Sequence, residues 1–179
     1  MTISTARAKR AGMRERMNRP RARALIAWIS IALVVALVDQ GTKQLIGALF
    51  APGEIRGITG FFNLVLVFNR GAAFSFLSDA SGWQREFFAG VALIASTVIV
   101  ALLWREPGDG LFCAGLALIL GGALGNLWDR IVLGHVVDFL DFHALGYHWP
   151  AFNLADSAIT AGAALLILDG FRARKPPAG

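Results

Sequence analysis

Four long stretches of apolar residues, each almost free of charge, constrain this sequence more than any other feature. A transmembrane helix requires about 20 such residues, and the first and last stretches reach that length once their polar ends are included. A chain with 56% hydrophobic and 16% charged residues cannot bury four such stretches in one water-soluble core. We therefore predict a mainly α membrane protein with four transmembrane helices, built on residues 24–38, 87–104, 111–128 and 154–168.

Basic residues collect at the two ends of the chain. Eight of the 17 Lys and Arg precede residue 24, and three more lie in 172–175. Cytoplasmic segments of membrane proteins are rich in Lys and Arg, and four spans place both termini on one side. We predict a membrane domain over 24–171 between cytoplasmic tails at 1–23 and 172–179. The first tail is expected to lie on anionic lipid headgroups, and no nucleic-acid partner is predicted.

Two segments then face the opposite, periplasmic side. Residues 51–86 contain short runs rich in Phe, Val and Leu, bounded by Gly60 and Gly71, which are typical of strands. Open sheet edges are not tolerated in lipid, so this strand-rich segment is expected at or above the headgroups. Residues 131–152 are predicted to form a periplasmic loop between helices three and four.

Acidic and amide side chains gather at the periplasmic ends of the helices. Such residues are costly inside a bilayer, where they commonly mark functional sites. Here they come from three separate regions of sequence but are predicted at one membrane face. This clustering indicates a polar site, formed by Asp39, Asn126, Asp129, Asp138, Asn153 and Asp156.

Some of these residues also have simple structural interpretations. Asn126 is three residues from Asp129 and four from Arg130, so the three share a helical face and can form an interfacial ion pair. Asp39 and Lys43 have the i,i+4 spacing that supports a helix. For Asp129 with Arg130 we favour the structural role.

Asn153 and Asp156 have the spacing of a helix cap and its third residue. Capping and chemistry remain equally open for them. The helix N-terminus favours an ionised Asp156, whereas Val and Phe around Asp138 favour its protonated form. Two such carboxylates, held close, can share one proton and act as base and acid on a water molecule. We predict Asp156 as the base, without a metal or a covalent intermediate.

A metal site is the nearest alternative. His135, Asp138, Asp141, His143 and His148 are residue types that bind zinc, but their spacing matches no signature such as His-Glu-x-x-His. No metal and no other cofactor is predicted. A small proton-coupled transporter is a second alternative, yet it would carry acids through the bilayer depth, and the helix centres here are apolar.

The chain resembles the lipoprotein signal peptidase family, also called signal peptidase II. The resemblance extends from about residue 38 to 159 through five motifs in order. They are DQGTK (39–43), NRGAAFSF (69–76), GNLWDR (125–130), VVDF (136–139) and FNLADSAI (152–159).

The resemblance implies an aspartyl endopeptidase of the bacterial inner membrane. Its substrates would be diacylglyceryl-modified prolipoproteins, cut just before the lipidated cysteine. Membrane lipids would be its other partners. It also implies that Asp138 and Asp156 are the catalytic pair, and we expect a monomer. Supporting or substrate-binding positions would be Asp39, Lys43, Asn69, Gly71, Asn126, Asp129, Arg130 and Asn153.

Overall fold

The fold is a helical bundle that carries a small sheet at one end. A computed structural model describes the backbone of residues 3–71 and 83–173, and the side chains of 21–71 and 83–172. Residues 72–82, in the predicted strand-rich segment, and most of the predicted C-terminal tail lie outside this description. The elements are α1 (Ile3–Leu49), β1 (Ile55–Thr59), β2 (Phe62–Asn69), α2 (Gln84–Arg105), α3 (Gly110–Val132), β3 (Val136–Ala144), β4 (Tyr147–His148) and α4 (Leu154–Ala173).

The four predicted transmembrane helices are confirmed. Each helix contains a segment long and apolar enough to cross a membrane. Helix α1 ends at Leu49, beyond the apolar stretch 24–38 on which it was predicted, because the apolar helix formers Leu, Ile and Ala continue there. It begins at Ile3, inside the basic N-terminal segment. The candidate spans are Arg21–Leu49, Gln84–Arg105, Gly110–Val132 and Leu154–Arg172.

Helix α3 is the centre of the bundle, and the other three helices pack around it. Glycines at its buried positions let the neighbouring backbones approach closely. A Cβ atom added to Gly121 would lie 2.6 Å from the Ala32 carbonyl oxygen of α1. One added to Gly122 would lie 2.3 Å from the Ala155 carbonyl oxygen of α4. This close packing brings the polar end of α3 into contact with α1 and α4.

The sheet is antiparallel, with strand order β1-β2-β3-β4. Strands β1 and β2 confirm the strand-rich character predicted for residues 51–86. The loop predicted for 131–152 is wrong, because this segment contains β3 and β4. Asp138 and Asp141 are both buried in β3. Amides of β2 satisfy them: Asn69 donates to Asp138 at 2.9 Å and Asn63 donates to Asp141 at 2.8 Å.

The sheet is fixed to the helices below it by apolar contacts. Ile46 and Phe50 at the end of α1 pack against Leu66 and Phe139 on its underside. Backbone hydrogen bonds between Leu140 and Phe152 join β3 to the residues just before α4. Strand β3 therefore carries Asp138 close to the ends of α3 and α4.

Candidate active site

A buried lysine organises the polar cluster at the ends of α1 and α3. The Lys43 Nζ lies 2.8 Å from Oδ2 of Asp39 and 2.9 Å from Oδ2 of Asp129. The same ammonium donates to Oδ1 of Asn126 at 2.9 Å. The predicted i,i+4 pair of Asp39 and Lys43 is thus present, and it extends across to α3. None of the three charged side chains is more than 3% exposed.

Arg130 does not form the ion pair with Asp129 that we favoured. Consecutive helical residues point in different directions, and Asp129 turns to Lys43 instead. The Arg130 guanidinium donates to the backbone oxygens of Asn126 at 3.2 Å and Gly71 at 3.0 Å. It therefore ties α3 to the chain that follows β2.

Asn69 and Gly71, both named by the resemblance, also lie at this site. The backbone N–H of Gly71 donates to the Asn69 side-chain oxygen at 2.9 Å, which orients the amide. The Asn69 Nδ2 then donates to Oδ2 of Asp138 at 2.9 Å. The rest of that motif, 72–76, lies outside the described residues.

Asp138 and Asp156 meet on two sides of one asparagine. The Asn153 side-chain nitrogen donates to Oδ1 of Asp138 at 2.7 Å. The Asn153 backbone N–H donates to Oδ2 of Asp156 at 3.3 Å. Asn126 completes the arrangement, since its Nδ2 donates to Oδ1 of Asp156 at 2.8 Å. Two acids from different elements of the chain are thereby held in one hydrogen-bonded group.

The capping interpretation of Asn153 and Asp156 is confirmed as well. The Asn153 side-chain oxygen accepts from the Asp156 backbone N–H at 2.9 Å. Together with the reverse bond from the Asn153 backbone N–H to Asp156, this forms a reciprocal capping arrangement. Asn153 and Asp156 therefore cap helix α4 and also take part in the contacts of the acid pair.

The surroundings of Asp138 favour its protonated form near neutral pH. Burial is the main cause that raises its pKa, from 3.8 to about 7, and the nearby Asp156 charge adds to the increase. Hydrogen bonds from Asn69 and Asn153 act in the opposite direction but are weaker than the burial effect. Asp138 can therefore hold or release a proton within the physiological range.

A cavity of about 490 Å³ opens beside Asp156. Trp149 and Phe152 form part of its wall near the sheet, and Asp156 is in its lining. From there it follows α4 past Thr160 to Ala164, a distance of about two helical turns. Its lining is mainly apolar, so a hydrophobic chain can reach the acid pair from within the membrane span.

The histidines of the alternative metal site lie elsewhere. The His148 Nδ1 lies 2.9 Å from Oδ2 of Asp141. The His135 ring packs against Phe68, with the ring centroids 4.4 Å apart. Among the described residues, no group of three or more His, Cys, Asp or Glu side chains is arranged to hold a metal ion.

Gln40 is a site residue that sequence reasoning did not single out. Its Nε2 donates to Oδ1 of Asp129 at 2.7 Å and to the Gly125 carbonyl at 3.1 Å. The available signal was a glutamine within a predicted transmembrane helix. The sequence analysis singled out the nearby Asp39 and Lys43 instead, because their charge and spacing are more distinctive.

Fold and site together define a multi-pass membrane protein with a hydrogen-bonded pair of acids where its helices meet a small sheet. The sequence profile of the family described as signal peptidase (SPase) II matches residues 31–172. The chain therefore belongs to this family, as the motifs indicated, and is a membrane protease that acts as a lipoprotein signal peptidase.

Close relatives carry the same description. The chain is 54% identical over 172 residues to a lipoprotein signal peptidase of Cupriavidus necator, covering 96% of this chain and 97% of the relative. It is 62% identical over 145 residues to one of Ralstonia nicotianae, covering 81% and 84% respectively.

A solved structure shares the fold. It is a bacterial membrane enzyme determined by the in meso method at 2.3 Å resolution. The match has a TM-score of 0.75 and 32% sequence identity, and it covers 86% of this chain and 94% of the other.

Proposed function

We propose that the chain is an aspartyl endopeptidase whose catalytic residues are Asp138 and Asp156. Its substrates would be diacylglyceryl-modified prolipoproteins, cut immediately before the lipidated cysteine. The observation that carries the proposal is that Asn153 binds both acids at once. A pair so held, with one member inclined to keep its proton, has the composition that general acid–base hydrolysis needs.

In this mechanism Asp156 is the base and Asp138 the acid. Asp156 takes a proton from a water molecule, and the resulting hydroxide attacks the carbonyl carbon of the scissile peptide. Protonated Asp138 polarises the carbonyl oxygen as negative charge develops there. The tetrahedral intermediate then breaks its C–N bond, and the proton on Asp156 passes to the leaving amine. No covalent enzyme intermediate forms.

The remaining polar residues act as positioning groups. Lys43 binds the Asn126 oxygen and so directs the amide nitrogen of Asn126 toward Asp156. Asn69 donates to Asp138 and so holds that carboxylate in position from the side of β2. With each acid oxygen bonded to a fixed amide, the pair presents one geometry to the substrate.

The cavity along α4 suits a substrate that carries acyl chains. It lies within the span that begins at Leu154, and Asp156 is in its lining near the sheet. An acyl chain lying in it would bring the modified cysteine, and the peptide bond before it, close to the acid pair. Membrane lipids would contact the same face when no substrate is present.

The proposed location is the bacterial inner membrane, with both termini in the cytoplasm and the acid pair at the periplasmic face. Eight Lys and Arg before residue 24 and three in 172–175 support this orientation. The four spans support it too, because an even number returns the chain to its starting side. We propose that the enzyme works as a monomer, since one chain supplies both acids and their amide partners.

The decisive experiment combines purified protein with a lipidated prolipoprotein and follows the change in size. Asp138→Asn and Asp156→Asn should each lower turnover by about 10²- to 10⁴-fold, since the first removes the acid that polarises the carbonyl and the second removes the base that activates water. Asp141→Asn is the matched control, because Asp141 is equally buried on the same strand but binds Asn63 and His148. Normal turnover by either dyad variant, with the protein folded, contradicts the proposal.

A chelation arm separates the aspartyl mechanism from a metal-dependent one. We expect unchanged cleavage of the lipidated precursor after exhaustive treatment with chelators. Loss of activity that zinc restores would favour the metal-dependent hydrolase instead. A precursor without the diacylglyceryl group should remain uncut, which tests the proposed use of the lipid.

The pH dependence of turnover tests the assignment of the acid. With the pKa of Asp138 raised to about 7, its proton is present below that pH and lost above it. We therefore expect kcat to fall above pH 7, approaching tenfold for each pH unit. A kcat that stays constant from pH 6 to pH 9 contradicts the role of Asp138 as the acid.

A further inference from the structure

Gln40 lies within the buried cluster, although the mechanism above gives it no role. We propose that Gln40 is a positioning residue: it fixes the Asp129 carboxylate, which in turn holds the start of β3 so that Asp138 faces Asp156. This inference rests on the proposed function of the acid pair. It concerns the contact between Gln40 and Asp129, which does not touch the reacting groups.

The charges of the cluster show why a neutral donor is needed there. Asp39 and Asp129 contribute two carboxylates, but Lys43 supplies a single ammonium between them. Neutral donors satisfy the other carboxylate oxygens. The Ala155 backbone N–H donates to Oδ1 of Asp39 at 2.8 Å, and Gln40 donates to Oδ1 of Asp129 at 2.7 Å.

Oδ1 of Asp129 depends on Gln40 in particular. Its other oxygen, Oδ2, binds Lys43 at 2.9 Å and the Val137 backbone N–H at 3.1 Å. Within the described part of the chain, Gln40 is the hydrogen-bond donor to Oδ1. Asp129 is 1% exposed, so removing the glutamine takes a hydrogen bond from an oxygen of a buried carboxylate.

Val137 transmits the position of Asp129 to the acid pair. It directly precedes Asp138, and its N–H is the one bound by Asp129. Its carbonyl accepts from the Asn153 side chain at 3.2 Å, and the same Asn153 nitrogen binds Asp138 at 2.7 Å. A rotation of Asp129 would therefore move Asp138 relative to Asn153, and a displacement of about 1 Å is enough to cost roughly 10²-fold in rate.

The chain offers a matched control on the same helix. Gln40 and Gln44 both line a groove of about 410 Å³ between α1 and α3, together with Leu37, Leu124 and Trp128. Gln44 is exposed and lies one turn further along α1. If a substitution acts only by altering lipid contact in the groove, replacing either glutamine should have the same effect on activity. If it acts through Asp129, only the replacement of Gln40 should have an effect.

The first test replaces each glutamine by leucine and measures cleavage of a lipidated precursor. Gln40→Leu should lower kcat by about 10- to 100-fold with little change in KM, since substrate contacts are intact. Gln44→Leu should behave like the wild type. A Gln40→Leu variant that keeps the wild-type kcat overturns the inference.

The second test uses Gln40→Glu, which keeps the shape of the side chain. At low pH the introduced carboxyl is protonated and can still donate to Asp129. At higher pH it ionises beside Asp39 and Asp129, with Lys43 as the only cation bonded to those two acids among the described residues. Relative to wild type, activity should fall by at least about tenfold between pH 5.5 and pH 8. Dividing by the wild-type profile removes the titration of Asp138 and Asp156 themselves.

Gln44→Glu is the control for this pH profile. Parallel profiles for the two glutamate variants overturn the inference, because a general effect of charge in the groove would then explain both. A fall that is specific to Gln40→Glu supports it. A merely structural loss of folding would lower activity at every pH without changing the profile.

A readout that does not use activity separates this inference from the proposed function. Amide hydrogen exchange at Val137 should be faster in Gln40→Leu than in wild type and unchanged in Gln44→Leu. Unchanged exchange in Gln40→Leu overturns the positioning role even if the enzyme cleaves as proposed. If the wild type does not cut the lipidated precursor, the proposed function fails instead, and the exchange data still decide whether Gln40 positions β3.

Discussion

Within the described part of the chain, two groups of aspartates differ in what surrounds them. In the lower group, Asp39 and Asp129 share the Lys43 ammonium. In the upper group, the hydrogen-bond donors to Asp138 and Asp156 within the described residues are amides. The two groups are adjacent, because Asn126 binds Lys43 through its oxygen and Asp156 through its nitrogen.

This difference determines which carboxylates suit the proposed chemistry. The Lys43 ammonium bonds directly to both carboxylates of the lower group, so that group serves as a fixed structural support. Neutral amides orient a carboxylate without fixing its charge, and burial can then raise the pKa of Asp138 to about 7. The upper pair also opens on the cavity along α4, through Asp156. The same side chain is thus structural in one place and suited to proton transfer in the other.

Removing the shared cation should have the largest effect on stability. Lys43→Met leaves two buried carboxylates facing each other, which should cost about 3–5 kcal/mol in the free energy of unfolding. Unfolding in mixed micelles with increasing denaturing detergent would measure it. Arg56→Met is the control, since the Arg56–Glu54 pair is partly exposed and its loss should hardly change stability. Equal losses for both variants would show that burial of the Lys43 cluster has no special importance.

Separating α3 from α4 should have an intermediate effect. In Gly122→Ala the new Cβ would lie 2.3 Å from the Ala155 carbonyl oxygen, so the helices must move apart. We expect a loss of about 1–3 kcal/mol in stability, together with lower kcat, because Asn126 and Asp156 lie on the two separated helices. Gly90→Ala in α2 meets no atom within 4 Å and should keep its activity. If both variants behave alike, close helix packing does not determine the site geometry.

The smallest effect, taken per pH unit, is the change in stability with pH that Asp138 of the upper group contributes. Between pH 3.8 and about 7, folded Asp138 keeps a proton that the unfolded chain has released. Folding therefore binds protons in this window, and the contribution of Asp138 to stability decreases as pH rises through it. Asp138→Asn should remove up to about 1.4 kcal/mol of this decrease per pH unit. Unfolding measured at pH 5 and pH 7 gives the comparison, and identical slopes in variant and wild type would contradict a raised pKa.

The sequence singled out Asp138 and Asp156, and the structure brings them together, but not all of their contacts were predictable. The two acids stood out because they lie in recognisable motifs, one in the predicted loop before helix four and one at the start of that helix. The partner of Asp129 was predicted wrongly, since Arg130 is adjacent in sequence while Lys43 lies on another helix. Gln40 was missed because an amide with no charge partner gives a weak signal.

Strand β3 shows the same limit for secondary structure. The segment that contains Asp138 and Asp141 was predicted as a loop. Both acids are tolerated in a buried strand because Asn69 and Asn63 on β2 donate to them. Such pairing between strands separated by α2 and α3 is not encoded in any local pattern.

The sequence by itself determined that the chain spans a membrane four times, because apolar length and charge distribution depend only on local composition. It also marked the two acids and their family. Only the tertiary structure decided which aspartates share a lysine and which are left with amides. That choice depends on the close approach of α3 to α1 and α4 and on the register of β2 with β3. Both arise from packing between residues far apart in the chain.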